Sequence, residues 1–115
     1  MKTVIGKVIP GAGQSRLFGY PTANLELRLK PDIEPGVYVA TTRFNNSDHQ
    51  AVVCFGAGNS DRFEVHVLDY DGDLVDQEIE VELKDRISGL IETDNQEMLK
   101  EKIEADIKLA REHFA

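Results

Sequence analysis

Glu78-Ile79-Glu80-Val81-Glu82-Leu83 alternates an acidic with an apolar side chain three times over. Successive strand residues point to opposite faces, so this stretch packs one face and wets the other, as the strands of an antiparallel sheet do. Similar short runs recur upstream. They predict strands at Thr3–Ile9, Ala23–Leu29, Gly36–Phe44, Gln50–Phe55 and Arg62–Leu68, with Glu78–Leu83 as the sixth. Between them lie Pro10–Gly19, Lys30–Pro35, Asn45–His49, Gly56–Asp61 and Asp69–Asp76, all rich in turn formers. From Asn95 the period changes. Leu99, Ile103, Ile107, Ala110 and Phe114 recur at three- and four-residue steps, which predicts one amphipathic helix over Asn95–Phe114. Thr93 with Gln96 spells a capping box at its start. Its polar side offers pairs such as Glu97 with Lys100 and Glu104 with Lys108, which reads as a solvated face. Six strands and a final helix predict a mainly β domain over 1–115: a small closed or nearly closed barrel, with the helix outside it or across an end.

Composition narrows the function. A chain of 115 residues can bury roughly 65% of its unfolded surface, so folding needs neither a disulfide nor a structural metal. No apolar run approaches the roughly 20 residues of a membrane-spanning helix, no secretory h-region follows Met1, and the single Cys54 suits a reducing compartment. A cytoplasmic protein without membrane partners is expected. Residues 1–60 carry six basic and four acidic side chains, whereas residues 61–115 carry seven basic and seventeen acidic. Without a stripe of Lys and Arg, no nucleic-acid partner is expected, and a phosphorylated ligand must be met locally by backbone donors or a metal ion.

Two stretches carry candidate chemistry. The first runs from Gly11 to Leu25 and combines Gly11-Ala12-Gly13, Arg16 and Gly19 with Pro21-Thr22-Ala23-Asn24. Glycines let a backbone turn its N–H groups toward an anion. Thr22 and Asn24 lie two apart at the start of a strand and share a face; they either form a turn bond that starts the strand or offer oxygen ligands to a hard cation such as Mg²⁺. The second is Phe63-Glu64-Val65-His66-Val67-Leu68, where Glu64 and His66 share the face opposite the valines. They are either exposed strand residues or a carboxylate and imidazole placed for general-base work. Cys54, in an apolar strand, reads as a small buried hydrophobe, and His49 and His113 as residues of a polar turn and a helix end.

The glycine-rich turn, Pro21-Thr22-Ala23-Asn24, Gly36-Val37-Tyr38 and Glu64-Val65-His66-Val67-Leu68 together resemble the riboflavin kinase (flavokinase) family, and Arg86 with Leu99, Ile103 and Asp106-Ile107 extends the resemblance along nearly the whole chain. The resemblance implies a six-stranded antiparallel Greek-key β-barrel with a C-terminal helix. It implies Mg²⁺-dependent transfer of the ATP γ-phosphoryl group to the 5′-hydroxyl of riboflavin, giving FMN and ADP. By carry-over, Glu64 resembles the catalytic base and Thr22 and Asn24 the metal and phosphate ligands. Gly11, Gly13, Ser15 and Arg16 resemble the nucleotide flap, with Pro21, His66 and Asp69 beside the nucleotide and Arg86 bordering the flavin.

The chain departs from the family pattern in four places. Gly11-Ala12-Gly13-Gln14-Ser15 stands for G-x-G-R-G, Leu74-Val75-Asp76 for Leu-Tyr-Gly, and Ala57-Gly58-Asn59-Ser60 for a Pro-Thr-Phe-like segment; Arg86 is not followed by the usual glutamate and phenylalanine. The alternative these departures define is a degenerate domain that binds a nucleotide or flavin-like ligand without efficient transfer, or an interaction module contacting through its acidic half. The 115 residues contain no nucleotidyltransferase domain of the kind that precedes this module in bifunctional bacterial enzymes, so they are not expected to make FAD.

Overall fold

A computed structural model describes residues 2–10, 19–58 and 60–115. The elements are β1 (Lys2–Ile9), β2 (Ala23–Leu27), β3 (Gly36–Phe44), β4 (Ser47–Phe55), β5 (Phe63–Val67), β6 (Glu78–Ser88) and α1 (Gln96–Phe114). All pairings are antiparallel, and the sheet closes in the order β1-β2-β5-β4-β3-β6. Strands β3, β4 and β5 follow one another as neighbours, and β6 returns to lie beside β3, which is a Greek key. The expected barrel and terminal helix are both present.

Alternation fills the interior. Val4 and Val8 from β1, Leu25 from β2, Ala51, Val53 and Phe55 from β4, Phe63, Val65 and Val67 from β5, and Ile79, Val81 and Leu83 from β6 meet Tyr38, Ala40 and Phe44 from β3 inside the barrel. Strands β3 and β4 are apolar on both faces because α1 covers them from outside. There Val37, Val39 and Val52 pack against Ile107 and Ala110, with Ile103 and Phe114 alongside.

Several boundaries differ from the sequence expectation. Strand β2 stops at Leu27 rather than Leu29. Strand β4 begins at Ser47 instead of Gln50, because the turn is only Asn45-Asn46, both in the left-handed region at φ 50° and 60°. That two-residue geometry matches the twist of the flanking strands, and asparagine tolerates it. Strand β6 runs on to Ser88, five residues beyond the end of its alternation. Its register with β3 shifts between Tyr38 and Ala40 and again between Val37 and Tyr38, so the regular in-out pattern is lost where the strand continues. The helix cap is also corrected: Asn95, not Thr93, is the N-cap, its side chain accepting from the Met98 N–H at 3.0 Å, while Thr93 Oγ1 accepts from the Asn95 N–H.

Candidate functional site

The residues that carry chemistry converge on the outer face of β2, β5 and β4. Asn24 on β2 is registered opposite Glu64 on β5, and Glu64 in turn opposite Cys54 on β4. Because Ala23 and Leu25 turn into the barrel, Asn24 turns out, on the side where Glu64 and His66 stand opposite their inward valines. Thr22 precedes the strand on that same side. Its Oγ1 and the Asn24 Nδ2 are buried and have no hydrogen-bond partner among the described residues. A hydroxyl can donate, accept or ligate and an amide nitrogen donates, a pair that suits an oxygen-rich ligand.

Glu64 is a half-buried acid, its side chain 12% exposed and Arg62 Nη1 3.6 Å away. Burial pushes its carboxyl above the usual range, and Arg62, just before β5, pulls it back in part. His66 is held by a bond to the chain: Nδ1–H donates to the Pro21 carbonyl at 2.7 Å, and Tyr20 meets the ring edge-on at 5.7 Å. His66 therefore fixes the turn that presents Thr22.

Two clefts meet at Thr22. The larger, of about 990 Å³, runs between the outer face of β4–β5 and helix α1 and includes Thr22, Cys54, Glu64, His66 and Lys102 in its walls. The smaller, of about 390 Å³, opens over the end of the barrel between Pro21–Ala23 and Tyr70–Val75. Pro21 thus lines the smaller cleft, and Thr22 belongs to both.

Other candidates lie elsewhere. Gly11, Gly13, Ser15 and Arg16 fall outside the described residues. Arg86 lines neither cleft. Its guanidinium donates to the Pro35 carbonyl at 3.0 and 3.3 Å and lies over Gly36, where a Cβ would come within 2.5 Å of Arg86 Nε; it thus holds the backbone of Pro35, a residue of the larger cleft's rim. The Asp69 carboxylate is engaged by Arg111 at 3.0 and 3.2 Å, a bond that ties the end of β5 to the helix and lowers the carboxyl from its usual range. Asp69 and Asp76 adopt φ 57° and 71°, so Asp76, where the family pattern has glycine, takes the left-handed conformation that glycine favours.

Cys54, read from the sequence as a small buried hydrophobe, is half-buried in the wall of the larger cleft, and its thiol is pushed up to about 11, first by burial and next by Glu64. His49 also differs: it lies within β4, stacked on Phe44 at 4.3 Å with Tyr70 edge-on. The sequence does not mark Lys102 and Asp106 as a site pair. Their signal is a lysine and an aspartate at i and i+4 flanking the apolar stripe, which any solvated helix also displays.

The riboflavin kinase family model matches residues 2–114. The chain belongs to the flavokinase family. A relative from Haemophilus influenzae, named as a bifunctional riboflavin kinase/FMN adenylyltransferase, is 30% identical over 117 residues, which cover 96% of this chain and 38% of the relative. The chain therefore spans about two fifths of the length of such flavokinase relatives. Among solved structures, a protein from Streptococcus pneumoniae named as a macrolide-efflux protein superposes with a TM-score of 0.85 at 29% identity, over 95% of this chain and 38% of that one. Riboflavin kinase from Trypanosoma brucei shares the fold, with a TM-score of 0.64 at 16% identity over 96% and 78% of the two chains. Among the described residues, no helix is long and apolar enough to cross a membrane.

Proposed function

We propose that this flavokinase domain transfers the γ-phosphoryl group of ATP to the ribityl 5′-hydroxyl of riboflavin, giving FMN and ADP. The observation that carries the reading is the placement of Glu64 beside the orphaned polar atoms of Thr22 and Asn24, where the two clefts join. Phosphoryl transfer asks for in-line positioning and charge stabilisation more than covalent help from the protein. One cleft for each substrate, meeting at a shared residue, supports that geometry. The larger cleft, bounded by apolar strand and helix residues, suits the flavin, and the smaller suits the nucleotide.

Glu64 accepts the proton of the 5′-hydroxyl as its oxygen bonds to the γ-phosphorus, and the bond from that phosphorus to the β-γ bridging oxygen breaks to release ADP. His66 holds Pro21, and through it the Thr22 hydroxyl, in place. Among the described residues, no group of three or more acidic, histidine or cysteine side chains could cage a metal ion. The hydroxyl of Thr22 and the side-chain oxygen of Asn24 would instead hold Mg²⁺ together with the nucleotide. Bound there, the ion would offset the charge of the phosphates. The Cys54 thiol, pushed up to about 11, adds no nucleophile.

The test is chromatographic detection of FMN from purified protein with riboflavin, ATP and Mg²⁺. FMN formation lost in Glu64→Gln, with nucleotide binding retained, is the expected result. Absence of FMN with ATP or CTP as donor refutes the kinase reading, and full activity of the variant removes Glu64 from the role of base.

A further inference from the structure

Lys102 is the cation that the larger cleft sets among apolar side chains. The other lysine and the arginine in its walls are half-exposed and paired with exposed or half-buried acids, Lys30 with Asp61 at 3.1 Å and Arg62 with Glu64 at 3.6 Å, whereas the acid beside Lys102 is the buried Asp106. Lys102 projects from α1, its side chain 21% exposed, in a wall that also includes Val37, Val52, Leu90, Ile103 and Ile107. A closed triangle holds it. Nζ donates to Ser88 Oγ at 2.8 Å and to Asp106 Oδ2, and Ser88 Oγ donates to Asp106 Oδ1 at 2.6 Å. Asp106 is itself buried, 7% exposed, so both of its oxygens are used within the triangle. An ammonium carries three donors, and two are accounted for. The third has no acceptor among the described residues, and Lys102 lines the cleft.

The occupant's chemistry follows from charge. Asp106 balances Lys102, while Asp61, Glu64 and Glu92 in the same walls oppose an anion. A neutral acceptor, such as a carbonyl on the edge of a flat apolar ring system, fits a single N–H donor surrounded by aliphatic side chains. Cys54, registered opposite Glu64, lines the same cleft as Lys102 and Asp106.

Resting on the riboflavin kinase reading, we propose that Lys102, anchored by Ser88 and Asp106, is a specificity residue that hydrogen-bonds a ring carbonyl of the flavin. Its third N–H selects a carbonyl-bearing ring, while Glu64 selects the hydroxyl at the other end.

The test is riboflavin titration by flavin fluorescence, with steady-state kinetics, on wild type, Lys102→Met and the double variant Lys102→Met/Asp106→Leu. The double variant removes both charges, so no buried carboxylate is left without its partner. Both variants are expected to raise the Kd and KM for riboflavin about tenfold, the loss of one charge-assisted hydrogen bond, with kcat and the KM for ATP within about twofold of wild type. Wild-type riboflavin affinity in either folded variant overturns the role of Lys102. So does an equal loss toward riboflavin and ATP, which marks a merely structural part. Wild-type protein that neither binds nor phosphorylates riboflavin refutes the kinase reading itself, and this inference with it.

Discussion

Between Asn24 and Cys54, Glu64 keeps 12% of its side chain exposed, and burial raises its carboxyl above the ordinary value of 4.5. The folded state therefore binds this proton more tightly than the unfolded chain. Stability falls as pH rises from 4.5 through the raised native value and stays lower above it. Glu64→Gln is expected to melt at a higher temperature than wild type at pH 7, with the difference closing below pH 4.5; calorimetry across that range checks it. For catalysis the same group must be ionised, so the acidic limb of the kcat profile is expected above the ordinary glutamate range. Asn24→Ala is expected to weaken Mg²⁺–ADP binding about tenfold by calorimetric titration, while riboflavin binding stays within about twofold. The alternation of β5 and the two-residue spacing of Thr22 and Asn24 made this cluster legible in the sequence. Lys102 was not legible, because its burial comes from docking α1 on β3 and β4, and a Lys–Asp pair at helical spacing reads the same on an open surface.

Local chemistry decides the elements where a short-range signal exists. Asn45-Asn46 turns β3 into β4 with two positive φ angles, and Asn46→Gly is expected to raise the denaturant midpoint because glycine adopts that conformation without a Cβ clash. At the helix start, Asn95→Ala removes the acceptor for the Met98 N–H and is expected to cost about 1 kcal/mol by urea denaturation. Both signals stand in the sequence, yet Thr93 drew the cap two residues early, since Thr-x-x-Gln satisfies the same pattern. The lower half of β6 gave no signal. Lys84, Asp85 and Arg86 carry no alternation because the register shifts against β3, and only the partner strand makes that segment a strand.

At the level of the whole molecule, six alternating segments and one helical period limited the architecture to a barrel with a covering helix. The strand order was less visible, since no residue pattern says that β2 pairs with β5 or that β6 crosses back to β3. That order also has a kinetic side. Strand β1 bonds to β2 along one edge and to β6 along the other, so Val4 must find Val81 across most of the chain. Contacts so distant in sequence slow folding, and stopped-flow refolding is expected in milliseconds to seconds rather than microseconds. On the ribosome, β1 would wait with one edge bare through the synthesis of some seventy residues, paired on that side only once β6 emerges. Until then its exposed edge is a target for any passing strand, which makes the interval before ring closure the chain's most aggregation-prone moment.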